Sequence, residues 1–167
     1  MDAVIPLARR SARARRRSAC RHATIHVTTR QPTEFVDVTD QLERLVADAG
    51  FRAGILNVQT LHTTTAVVVN EHEPLLLADF QAVLEATAPR DGRYRHDDMP
   101  VRTVNMTDAE RPNGHAHCRA LLMPSSACLN VVQGRLRLGQ WQRVFLVELD
   151  GPRDRELSVL MVGDEGP

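Results

Sequence analysis

Histidine is the residue best placed to do chemistry in this 167-residue sequence, and five of its seven copies fall between His62 and His117. They stand in polar settings, "LHTTT", "YRHDD" and "GHAHCRA", and not inside apolar runs. Neutral imidazole binds Zn, Fe, Ni or Cu, and nearby carboxylates complete the shell or orient the ring from behind. No spacing matches a short regular motif such as HExxH, so any shared site would draw its ligands from separate elements. His115 and His117 share a face of an extended segment but stand about 200° apart on a helix, where only one could point into such a site. The alternative is a set of solvent-exposed or core-satisfied histidines. Glu71, Glu73 and Asp79 are candidate general bases, although carboxylates at the start of a helix also cap it, and Glu73 is assigned to capping. Cys118, beside His117, is either a thiolate or a small buried hydrophobe. Arg153 in "DGPRDR" either binds phosphate or pairs with Asp150 or Asp154. Trp141 reads as a core or interface anchor.

Several chemistries are excluded. All 21 basic residues are Arg, so a Schiff-base lysine and a lysine-type phosphate loop are impossible, and no GxGxxG is present. Cys20, Cys118 and Cys128 form no CxxC pair, which argues against a disulfide framework or zinc ribbon and favours a reducing, cytoplasmic setting. No apolar run approaches the roughly 20 residues of a spanning helix, so a soluble chain with no membrane partner is expected. Residues 1–21 carry seven Arg against Asp2 alone, leaving the body acidic. This Arg-rich stretch, 1–22, is expected to be a disordered tail preceding a single domain over 23–167, and it is the one segment with nucleic-acid-binding character.

The elements that must position these residues follow from periodicity and punctuation. "ATIHVTTR" and "EFVDV" read as two strands, plausibly a hairpin. "TDQLERLVADAG" reads as a helix capped by Thr39 or Asp40, with Glu43 as the partner of Asp40 in a capping box. Its stripe is Leu42, Leu45, Val46 and Ala49, and Gly50 stops it. Residues 55–70 read as one long strand region, bent or paired with itself, whose period of two puts Thr60, His62, Thr64, Ala66, Val68 and Asn70 on one face. Pro74 opens a second helix with the stripe Leu76, Phe80, Val83 and Leu84. A long polar loop spans 90–112, "HAHCRALLM" suits a short helix, and four further strands follow. The pattern is α+β with antiparallel sheets.

The ordered set "HTTTAVVVNEHEP", "YRHDD", "NGHAHCRALLMPSS" and "QGRLRLGQWQRVFLVELDGPR" closely resembles the YjbQ family, also called the secondary thiamine-phosphate synthase family, from about Thr24 to Gly163. The resemblance implies an α+β domain of antiparallel, sandwich-like sheets with two main helices and one short helix. It also implies a homotrimer with a site near the subunit interface. Carried over by motif, its functional positions fall on His62, Asn70, Glu71, Tyr94, His96, Asp97, His117, Gly139, Trp141 and Gln142. They imply His62, His96 and His117 as ligands of one divalent metal, Zn or Mg. Three imidazoles would leave a coordination position open for water. Glu71 and Asp97 would then orient the ligands from behind or move protons, with Asn70 and Gln142 beside them, while Thr63, Thr64, Arg119, Ser125 and Ser126 would bind substrate. Thr65 and Met123 depart from the family pattern at the edge of that pocket.

The expected function is that of a metal-dependent enzyme with weak thiamine-phosphate synthase-like activity, joining a pyrimidine diphosphate to a thiazole phosphate and releasing pyrophosphate. Its ligand would be a small phosphorylated or heterocyclic molecule. A metal-assisted hydrolase is a related possibility, and a non-catalytic trimer that binds a metal or metabolite is the second reading.

Overall fold

Alternation in the first strand decides how the chain begins. In the computed structural model, which describes residues 18–109 and 111–165, Ile25 and Val27 are buried while His22 and His26 face outward. They belong to β1 (Ser18–Thr28), so the expected boundary between tail and domain at residue 22 falls inside a strand; residues 1–17 of that tail lie outside the described residues. Then come β2 (Glu34–Asp37), α1 (Thr39–Asp48), β3 (Phe51–Thr60), β4 (Thr65–Glu71) and α2 (Pro74–Thr87). A one-turn 3₁₀ helix (Arg95–Asp97), α3 (Gly114–Leu121), β5 (Ser126–Val132), β6 (Arg135–Leu136), β7 (Gln142–Glu148) and β8 (Asp154–Glu165) complete the order.

The strands form two antiparallel sheets, one in the order β1-β8-β3-β5-β6 and one in the order β2-β7-β4. The expected hairpin is therefore not formed: β1 pairs with β8 and β2 with β7. Three hydrogen bonds hold the connection between β1 and β2 instead. The Thr29 amide donates to the Arg153 carbonyl at 2.9 Å, and the amides of Arg30 and Gln31 both donate to the Glu34 carboxylate. The 55–70 region is likewise divided between the two sheets. The Thr60 and Thr65 hydroxyls bond to each other, and the Thr65 hydroxyl donates to the His62 carbonyl, closing a corner over Leu61–Thr64. The period of two holds within β4 and does not run back through this corner to His62 and Thr64.

Two apolar layers result. Between the sheets lie Leu56, Val58, Val67, Val144, Leu146, Leu157 and Val159, closed by Leu42 and Val46 of α1. Outside the three-stranded sheet, Ala66, Phe145, Val147 and Leu149 are covered by Leu84 of α2 and Ala116 of α3. Gly50 ends α1 at φ +69°, where an L side chain is strained. The cap of α1 differs from expectation: Asp37 accepts the Thr39 amide, the Thr39 hydroxyl accepts the Val144 amide, and Glu43 reaches the Leu136 amide. Glu73 does cap α2, accepting the amides of Leu75 and Leu76 at 3.0 and 2.8 Å. Only Leu84 of the α2 stripe is buried. Among the described residues no helix is long and apolar enough to cross a membrane.

Candidate functional site

The start of α3 is built around one glycine. A Cβ on Gly114 would overlap the Tyr94 side chain, so only glycine lets the 3₁₀ turn pack there. Asp97 then reaches the amides of Asn113 and Gly114 at 2.9 and 2.8 Å. A carboxylate at that position satisfies two helix N-terminal donors and complements the dipole. Asp97 thus orients the start of α3, the supporting one of the two roles expected of it. The helix separates its two histidines: His115 is buried at 2% exposure near Tyr94, and His117 faces His96. The rings of His96 and His117 meet edge to face with centroids 4.6 Å apart. Nε2 of His96 is buried with no hydrogen-bond partner, as are Nε2 of His115 and Oδ1 of Asn113. A buried polar atom left unmatched costs about 1–3 kcal/mol and calls for a ligand, ion or water.

The His62 corner lies at the same end of the three-stranded sheet. Thr65 pairs with Glu148, and Asp150, two residues on, accepts from the Asn113 side chain at 3.2 Å. Glu148 is wholly buried and accepts both arms of the Arg155 fork at 2.6 Å, the Thr29 hydroxyl and the amides of Leu149 and Asp150. Burial alone would raise its pKa, but Arg155 and the Asp150 amide hold it below the usual carboxylate range. Asp150 is buried too, flanked by Arg111 at 3.1 Å and Arg153 at 2.9 Å. Thr64 is buried and accepts from Arg155 at 3.1 Å, whereas Thr63, Ser125 and Ser126 are exposed. His62 Nε2 accepts the Glu156 amide at 2.9 Å. Burial, and then the Arg155 charge, lowers its pKa.

Asn70, Glu71 and Gln142 sit at the far end of the same strand. Glu71 pairs with Gln142 and Asn70 with Arg143. Because β4 is 7 residues long, this end is roughly 20 Å from Thr65. Asp37 lies beside it, bonded to Arg143 at 2.6 Å and His72 at 3.0 Å. Burial would raise the Asp37 pKa, but those partners and Thr39 bring it down to about 2.

The expected residues therefore fall into three groups. His96 and His117 meet, but His62 does not join them, because the corner aims its ring at β8. Among the described residues no three His, Cys, Asp or Glu side chains stand where they could hold one ion. The two imidazoles are of a type that binds divalent ions, and the remaining ligands of such an ion would have to come from beyond this pair. Arg119 is not available to substrate: it is 2% exposed and bonded to the Ala88 carbonyl, Thr33 and Glu85. Sequence reasoning passed over Glu148, Arg155 and Asn113, and it gave Asp150 only as a pairing partner of Arg153, a pairing the structure contains. One signal was present, since the acid in "FLVEL" interrupts an apolar run that needs a buried partner.

The comparisons agree with this architecture. A family model described as UPF0047 protein YjbQ-like matches residues 23–164. A UPF0047 protein of Archaeoglobus fulgidus is 39% identical over 131 residues, which cover 78% of this chain and 93% of that protein. One from Methanothermobacter thermautotrophicus is 37% identical over 135 residues, 81% and 87% of the respective chains. The crystal structure of a YbjQ-like protein of unknown function from Sulfolobus solfataricus P2 superposes with a TM-score of 0.78 at 33% identity, covering 88% of this chain and 99% of that one.

Proposed function

This chain belongs to the YjbQ-like UPF0047 family, and from that premise we propose that it is an enzyme for a small phosphorylated or heterocyclic molecule, with His96 and His117 binding a divalent ion and the site completed between copies in a homotrimer. The observation that carries this reading is the buried, partnerless Nε2 of His96 against the His117 ring. When bound, the ion would supply Lewis-acid neutralisation of a phosphate or diphosphate. The chain's own groups do the rest. Asp97 fixes the start of α3 and hence His117, while exposed Arg153 and Arg95 offer cationic arms to phosphate oxygens. Buried Arg119 is replaced in that role.

Trimer assembly is supported by where apolar surface is left uncovered. Trp141 is 64% exposed beside Gln142, Leu75 is 76% exposed near Glu71, and Leu61 is exposed next to His62. A cyclic head-to-tail contact joins two different patches, so it would set the Asn70–Glu71–Gln142 end of one copy against the histidine end of the next. Such a contact unites residues that one chain holds roughly 20 Å apart. The reaction tested first is the coupling of a pyrimidine diphosphate to a thiazole phosphate, giving thiamine phosphate and pyrophosphate. Wild-type protein with added Zn or Mg should form both products, and His117→Ala should lose that activity together with its metal. Absence of turnover in metal-loaded wild type sinks the transferase assignment.

A further inference from the structure

The His62 turn is held on every side but one. Its amide donates to the Thr60 hydroxyl and its carbonyl accepts from the Thr65 hydroxyl, both at 3.3 Å. On the ring, Nε2 accepts the Glu156 amide at 2.9 Å. A backbone N–H can only donate, so Nε2 must keep its lone pair and the neutral ring carries its proton on Nδ1. Protonating Nε2 would set two N–H groups against each other, and metal binding through Nε2 would break the bond. The charges that act on the ring are those of Arg155, Glu148, Glu156 and Arg153. Glu148 is already saturated by Arg155, Thr29 and two amides. Nδ1 has no partner among the described residues.

We propose that His62 is a neutral hydrogen-bond donor, presenting Nδ1–H to an anionic oxygen of the ligand beside Arg153, and is neither a metal ligand nor a general base. A fixed neutral donor stabilises charge developing on a phosphoryl or leaving oxygen without first having to be protonated. Arg153 is suited to the same oxygens: its Nε and one Nη are held by Asp150, and its side chain remains 41% exposed. The assignment rests on the reading of the ligand as phosphorylated.

Long-range nitrogen–proton spectra of the ¹⁵N-labelled full chain test the proposal, with inorganic pyrophosphate and Zn as probes. His62 should show the Nδ1–H tautomer at pH 7, its Nδ1 signal should move with pyrophosphate, and neither nitrogen should move with Zn. His62→Ala should weaken pyrophosphate binding about tenfold, the value of one such bond. His62→Asn, which sets an amide NH₂ near the Nδ1 position, should keep affinity within about threefold of wild type on the same scale. An imidazolium or Nε2–H signature at pH 7, a Zn-induced shift at His62, no pyrophosphate binding by wild type, or full affinity in His62→Ala would each overturn it. The tautomer is read without turnover, so an inactive protein with the Nδ1–H signature fails only the enzymatic reading. An active one without that signature fails only this inference.

Discussion

Replacing Glu148 with Ala should be among the most damaging single changes to this fold. The substitution strands Arg155, 5% exposed, beside a hole where the carboxylate had accepted five hydrogen bonds. An uncompensated charge of this kind costs about 3–5 kcal/mol, because its desolvation remains after the attraction has gone. For a chain of this size 1 kcal/mol moves Tm by about 2–4 °C, so the drop should be on the order of 10 °C. Urea denaturation at pH 7 measures it directly. The double variant Glu148→Leu/Arg155→Leu should recover much of the loss, since neither charge is then buried. The folded pKa of Glu148 lies below its unfolded value, so its contribution is present above the unfolded value and is lost as pH falls through the folded one. The gap between wild type and Glu148→Gln should accordingly shrink in that acid range and hold steady above it. A loss under about 1 kcal/mol for Glu148→Ala, or no recovery in the double variant, would refute the reasoning.

Gly114→Ala should cost about 1–3 kcal/mol by overpacking against Tyr94, and it should weaken metal binding by displacing His117; unfolding curves and metal titration read both effects. Asp37→Asn removes a charge bonded to Arg143 and His72. Its cost should be about 2 kcal/mol above the unfolded pKa of 3.8 and vanish as pH falls through about 2, which denaturation across pH would register. Trp141→Ala should change the stability of a single chain by under about 0.5 kcal/mol yet weaken the proposed trimer, and sedimentation at several concentrations distinguishes the two.

The features legible in the sequence were those decided locally. Pro74 with Glu73 announced α2, Gly50 announced the end of α1, and the two-residue spacing of His115 and His117 separates them once the segment is a helix, as it is, with His117 against His96. What escaped was decided by partners distant in sequence. Ala23–Arg30 and Glu34–Val38 each carry good strand chemistry, and nothing within them says that β8 and β7 outcompete their pairing with each other. The corner at Leu61–Thr64 depends on hydroxyl bonds between threonines that period-two reasoning treats as ordinary strand residues. Arg119 resembled a phosphate-binding arm until Ala88, Thr33 and Glu85 enclosed it. For the site, it was the family resemblance and not residue type or spacing that united three histidines, whereas in the structure His96 and His117 meet and the His62 ring accepts the Glu156 amide.

The central claim is that His96 and His117, without His62, form the metal-binding pair, and metal stoichiometry across single variants tests it most directly. Elemental analysis after loading with Zn and desalting should find metal retained in wild type and His62→Ala and lost in His96→Ala and His117→Ala. Metal-free wild type, or His62→Ala as depleted as His117→Ala, would contradict the account.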